Sequence, residues 1–422
     1  MAPRQNNNRS NASSKKKVDY SAICRNASGL TVQQAFDRLG PITKFEDLLC
    51  PPGKLTGPTE LASEQVFHMI EGWRYALAAT TAFLNHSQQA SLHFAYYAEL
   101  RAALSLLSWS GIRVKQRGNY YLDNTGVKKP VDHSPTHTAV WGLWQHWVNR
   151  SDAQTLFNDH IRLTTGVPLS QVVSALQYIK PTQTIQGWGL DLAKIKDDHN
   201  ARNISSYEAY WMRAPLSKMK KEDLDLVLML WKLLLPEETG LAFDGSLISF
   251  FVKQALPGMI ASMGAANVAP DPNTAADVME IITNEISTNT GLDVDHITRK
   301  LDPSQYDTLP FELASSIDTE PKNVLCRAFF LLRLSMLAAK SSVSLATNSS
   351  TSEWLSNWFE HAGLWDRNLA VDPYDISIDY GDALDHFKTS PTQPSDIWLG
   401  TNLANTVKLT RPDACMVWNV IQ

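Results

Sequence analysis

Apolar side chains recur at three- and four-residue spacing over most of this chain, the period of helices that bury one face. After a short helix expected near 32–39, the pattern sets in at Thr59. There Val66, Met69, Ile70, Trp73 and Leu77 form a stripe, with Glu60, Glu64 and Glu71 in the early turns. A second helix is predicted at about 90–108, lined by Tyr96, Leu100, Ala103, Leu104 and Leu107 and stopped at Gly111. Residues 112–122 alternate instead, around Gly118-Asn119, and predict a small hairpin or an extended loop. Helices resume over 136–148, 170–179, 187–202 and 220–235, with Pro181 and Pro236 as stops. Beyond Gly240 the best helical segments are 246–264, 274–289 and 322–341. Residues 348–352 read as a polar linker, and the aromatic- and aspartate-rich C-terminal stretch is expected to wrap over the rest. The predicted fold class is all-α, without internal repeats.

At 422 residues the chain is long for one core. A polar tail (1–17) is expected, followed by a helical domain (18–240) and a second helical region of unknown role (241–422). The tail, MAPRQNNNRSNASSKKK, is too polar to offset the entropy of ordering and reads as disordered; its cations could touch nucleic acid. A net charge of −5 argues against coating of nucleic acid by the whole surface and leaves room for a local basic patch. Thirteen tryptophans imply large apolar faces to bury, internally or against a partner. Cys24, Cys50, Cys326 and Cys415 are sparse, form no C-x-x-C pair and read as buried thiols of a reducing compartment. No stretch reaches the roughly 20 uninterrupted apolar residues of a membrane span. The most apolar segment carries Arg327 and Arg333, and no apolar run follows the basic N-terminal residues as in a signal peptide. The expected location is the cytoplasm, with no membrane association.

The stretch HFAYYAELRAALSLLSW (93–109) is followed by Gly111-Ile112, then by the Trp-rich helix beginning near Thr136. Downstream comes Asp198-His199-Asn200-Ala201-Arg202-Asn203-Ile204-Ser205-Ser206-Tyr207, and a charged helix closes the series before Pro236. In order and pattern, residues 62–236 resemble a HEPN domain, the helical fold of many bacterial RNA-cutting toxins and antiphage defence proteins. The resemblance implies a HEPN-like helical bundle with an additional C-terminal helical region. It also implies pairing through the motif helices, as a homodimer or with a partner protein of the same system. The family signature is an arginine, usually with a polar residue after it, and a histidine four to six residues on. Arg202 and Asn203 match it, but Tyr207 stands where the ribonucleases place histidine. The resemblance thus implies RNA or nucleotide binding and metal-independent endoribonuclease activity, with no cofactor. Tyrosine, with a reference pKa near ~10, is a poorer acid or base at neutral pH than imidazole. His199, one helical turn before Arg202, is the candidate substitute. Ser205 to Glu208 fits a capping box that would open a new helix at this corner and offer backbone N–H groups to an anion.

A second constellation is Arg113, Lys115 and Arg117, with Lys128 and Lys129 and the nearby Tyr120 and Tyr121. Three cations on one strand face beside aromatic rings suit a nucleic-acid backbone; the plain alternative is a solvated hairpin. His133, His137 and His146 lack an H-E-x-x-H pattern, and Asp372, Asp375, Asp379, Asp382 and Asp385 lack EF-hand spacing, so no metal is expected. No P-loop, G-x-G-x-x-G or G-x-S-x-G motif occurs. Without the family, Arg202 pairs with Asp197 or Glu208 and Tyr207 packs inside. The chain is then a non-catalytic interaction subunit that docks on an effector protein.

Overall fold

The computed structural model describes residues 18–39, 57–116, 118–131, 135–176, 197–201, 203, 220–238, 240–262, 272–347, 350–370, 372–389, 407–408 and 410–421. Over these residues the fold is all-α with three small antiparallel β pieces. The principal scaffold is a helical hairpin, α3 (Pro58–Leu84) and α4 (Gln88–Trp109), crossed by α13 (Pro321–Leu345). Proline at the first helical position opens both α3 and α13, where its missing N–H costs nothing. Before this scaffold lie α1 (Tyr20–Asn26) and α2 (Leu30–Gln34), the latter prolonged by a 3₁₀ turn to Arg38. Gly111 ends α4 at φ +83°, and an added Cβ there would collide with the Ser28 carbonyl, so the α1–α2 segment seats directly on the turn.

The predicted hairpin is present and larger than expected. β1 (Ile112–Arg113) pairs with β2 (Tyr120–Leu122), and β3 (Lys128–Pro130) adds a third strand in register Tyr121↔Lys129. The Trp-rich helix is α5 (Thr136–Trp147). It is followed by α6 (Ser151–His160) and the small β4–β5 hairpin, Arg162–Thr164 with Val167–Pro168, neither of which the hydrophobic pattern indicated. Then come α7 (Leu169–Leu176), helical residues 197–201, and α8 (Lys221–Lys232). After the β6–β7 pair (Pro236–Glu237, Gly240–Leu241) follow α9 (Ala242–Ser262), α10 (Pro272–Thr290), α11 (Val294–Leu301) and α12 (Leu309–Ser315). The chain closes with α13, α14 (Ser350–His361), α15 (Pro373–Thr389) and α16 (Cys415–Val420). The expected linker at 348–352 is corrected in its second half, because Ser350 already opens α14.

One connected apolar core runs from Ile23 to Val420. Every described tryptophan is buried or partly buried, so these rings fill the interior rather than a partner surface. Trp144 and Trp147 stack at 4.6 Å, and Trp147 Nε1 donates to Ser110 Oγ at 2.6 Å. By length and composition α13 could cross a membrane, yet 72% of its most apolar window is buried inside the protein. Its two arginines are sealed in with it. Cys24, Cys326 and Cys415 are free and buried, and burial pushes the Cys24 and Cys326 thiols up to about 12, which leaves them unreactive. Cys50 lies outside the described residues.

Candidate functional site

Of the signature residues, Asp198, His199 and Asn203 lie among the described residues; Arg202, Tyr207 and the Ser205–Glu208 box lie outside them. Asp198 faces the core. Its carboxylate receives two bonds from Arg327 of α13, Nε to Oδ2 at 2.9 Å and Nη2 to Oδ1 at 2.5 Å. Arg327 also donates to the carbonyls of Ser316 and Asp318, both at 3.0 Å, so its whole fork is used. Glu99 of α4 completes this buried group, with Oε1 3.6 Å from Arg327 Nε. Burial first, and then the charge of Asp198, pushes the Glu99 carboxyl well above the usual carboxylate range. Burial raises the Asp198 carboxyl as well, so two acids that both hold a proton more tightly than a free carboxyl surround one guanidinium.

His199, one residue on, turns toward a ring cluster at the start of α5. Its imidazole lies 5.3 Å from that of His137 in a stacked arrangement and 5.5 Å from the Tyr96 ring. Trp141 Nε1 donates to the Tyr96 hydroxyl at 3.1 Å, and that hydroxyl lies 2.9 Å from His137 Nδ1. Because indole can only donate, the hydroxyl accepts from Trp141, while the direction of its bond with His137 follows the His137 tautomer. Asn203 Nδ2 reaches His199 Nε2 at 3.4 Å. The structure thus joins two residues singled out in the signature, His199 and Asn203, to two that were read otherwise. Tyr96 was read as lining a helix face, and His137 as one of three histidines without a metal-binding pattern. Among the described residues no group of three metal-ligating side chains converges.

The basic hairpin is assembled as the sequence suggested, but its cations are turned onto α3. Arg113 bonds both Glu64 oxygens from Nε, at 3.1 and 3.0 Å, and Nη2 reaches Glu64 at 2.8 Å and Glu60 at 2.5 Å. Lys115 lies 2.6 Å from Glu64, Lys128 3.1 Å from Glu60, and Lys129 3.3 Å from Asp123. Arg113 and Lys128 also sit over the Tyr120 ring, at 5.3 and 4.6 Å. Burial alone would raise the Glu60 carboxyl, but bonds from Tyr120, Arg113 and Lys128 outweigh it and hold the group below its usual value. Arg117 lies outside the described residues. The three described cations nearest α3 are matched by two half-buried carboxylates, which removes most of the positive field a phosphate backbone would meet. Replacing Glu60 and Glu64 together by glutamine is expected to free them. The variant should gain binding to single-stranded RNA at low salt, with a slope of log affinity against log salt steeper by about 2 than wild type. A fluorescence anisotropy titration at several salt concentrations measures it.

A feature the sequence did not signal is a cleft of about 470 Å³ between α1 and the α5–α6 junction, lined by Ser21, Cys24, Arg25, His146, Asn149 and Arg150 among others. Arg150 is a brace there, donating to the carbonyls of Cys24 and Ala27 and held by Asp152 at 2.8 and 2.6 Å. The five aspartates at 372, 375, 379, 382 and 385 are exposed along α15 and its entry, with Ile378 and Tyr374 exposed among them and Lys408 3.4 Å from Asp379. No protein-family model matches the chain, and no match is found among curated proteins or solved structures.

Proposed function

We propose that this protein is a non-catalytic helical interaction subunit that docks on a partner protein with a basic surface. The observation that carries the reading is the internal commitment of the described charges at the basic hairpin and beside the signature. Arg113, Lys115 and Lys128 are spent on Glu60 and Glu64, and Asp198 is spent on Arg327. Side chains so engaged hold the protein's own elements together, and a buried carboxylate–guanidinium pair is unsuited to exchanging partners during a reaction. The exposed face of α15 supports the kind of partner: Tyr374 and Ile378 offer apolar contact, and the surrounding aspartates favour cations.

A second reading is favoured by one specific observation, the contact of His199 and Asn203 with His137 and Tyr96. Two imidazoles beside a phenol are the groups that metal-independent RNA cleavage needs for proton transfer. In this reading the chain is a HEPN-like ribonuclease or RNA-binding component of a bacterial antiphage or stress system. Arg202 would hold phosphate, His199 would stand in for the missing signature histidine, and Tyr207 would donate a hydrogen bond.

One pair of measurements separates the two. Purified full-length protein incubated with RNA and no added metal is expected to leave the RNA intact, and Arg202→Ala to change nothing. A neighbouring gene's product is expected to co-purify with wild type and to be lost from an Asp375→Lys/Asp379→Lys variant. Cleavage by wild type that Arg202→Ala or His199→Ala abolishes would overturn the first reading in favour of the second.

A further inference from the structure

We infer that residues 197–201 form a proton-locked strap, held to the core by Asp198 as long as Glu99 keeps its proton. Glu99 and Asp198 are completely enclosed, and among the described residues Arg327 is the one cation placed against both. With Glu99 neutral, the Asp198 carboxylate and the Arg327 guanidinium cancel, and the bidentate bond holds the strap down. Once Glu99 ionises, two carboxylates share one guanidinium in a sealed site, a net buried charge that water would solvate far better. Of the two acids, Glu99 sits in the middle of the long helix α4 and cannot leave without dismantling the scaffold. Asp198 lies within the described helical residues 197–201, of which Asp197 and Asn200 are exposed. The strap is therefore the element that yields.

The other charged groups around the site do not change this balance. On α13, Cys326 adjoins Arg327, but burial keeps its thiol neutral up to about 12. On the strap, the charge of Asp197 raises the Asp198 carboxyl, an effect smaller than that of burial. His199 points away from the carboxylates, to Tyr96 and His137. The sign is then fixed. Since the folded state binds the Glu99 proton more tightly than the open state, attachment is complete at mildly acidic pH. It is lost as pH rises through the elevated Glu99 pKa. Release of the strap withdraws His199 and Asn203 from His137, so the same proton governs whether the ring cluster is assembled. The inference stands whichever of the two proposed functions holds.

Hydrogen exchange of the full-length protein, followed by mass spectrometry and corrected for the intrinsic pH dependence of exchange, tests this. Peptides covering 197–201 are expected to lose at least about tenfold in protection between about pH 5 and about pH 9, while those from the middle of α4 stay protected; one unit of displaced pKa corresponds to tenfold. Glu99→Gln, which keeps a neutral side chain of the same shape, is expected to hold the strap protected across the whole range. Flat protection in wild type overturns the inference without need of any variant. So does a folded Glu99→Gln protein that loses protection with the wild-type profile.

Discussion

Replacing Arg327 with methionine is expected to destabilise the protein by about 3–5 kcal/mol, the usual penalty for removing one partner of a buried ion pair. The arginine is 2% exposed, and it is bonded to Asp198 and to the backbone carbonyls of Ser316 and Asp318. Methionine fills much of the same volume but leaves Asp198 as a buried anion, Glu99 without its cation, and the Ser316 and Asp318 carbonyls without a donor. The effect should appear as a fall in the urea midpoint with little change in slope, since the same surface is exposed on unfolding. A second variant makes the argument specific. Adding Asp198→Asn and Glu99→Gln to Arg327→Met removes the stranded charges and should recover a large part of the loss, because neutral replacements of a whole buried ionic group are tolerated far better than half of one. If the triple variant is no more stable than Arg327→Met alone, the penalty comes from packing and not from charge.

Much of this scaffold was visible in the residue pattern. α3, α4 and α13 are long, and each carries apolar side chains at helical spacing, so their existence did not depend on tertiary detail. α6 escaped because only Ala153, Leu156 and Phe157 of its residues face the core, too few for a period to register. The β4 and β5 strands are three and two residues long, shorter than any alternation can reveal. β3 was read as two cations because all three of its residues are exposed, with no buried side to show an alternation. Its pairing with β2 is set by backbone bonds that composition does not encode.

The candidate site was less legible, for a physical reason. Tyr96 meets His137 across 41 residues and His199 lies far beyond both, so their contact is a product of helix packing and has no local signature. The charged groups left a fainter trace. Glu99 is an acid on the same helix face as Tyr96, Leu100 and Ala103, set directly between Ala98 and Leu100. Arg327 and Arg333 stand in the most apolar helix of the chain. An ionised side chain at such positions needs an opposite charge beside it, so three buried ionic residues could have been anticipated, though not which carboxylates would answer the arginines. For the hairpin the sequence supplied Arg113, Lys115 and Lys128 correctly as neighbours. It hid the fact that Glu60 and Glu64, one helical turn apart on α3, would lie underneath them.

The two-region division expected at residue 240 bears on the second large effect. Arg333 of α13 binds Asp244 of α9 through Nε at 3.0 Å and Nη2 at 2.6 Å, and it reaches Asn419 of α16 at 2.6 Å. The same helix packs along α3 and α4, so one element carries the buried contacts of both parts of the chain. Arg333→Met should therefore cost about 3–5 kcal/mol, as at Arg327, through the stranded Asp244 carboxylate and the unpaired Asn419 amide. More tellingly, the loss should be felt by the whole molecule. Far-ultraviolet circular dichroism and tryptophan fluorescence, which draws on Trp73, Trp144 and Trp147 before residue 240 and Trp418 after it, should give coincident urea transitions in wild type and in the variant. Two separated transitions, with only the later one moved by Arg333→Met, would mean that residues 18–240 fold without α13. In that case the shared core observed between α4 and α13 would be a docking contact between two independent units.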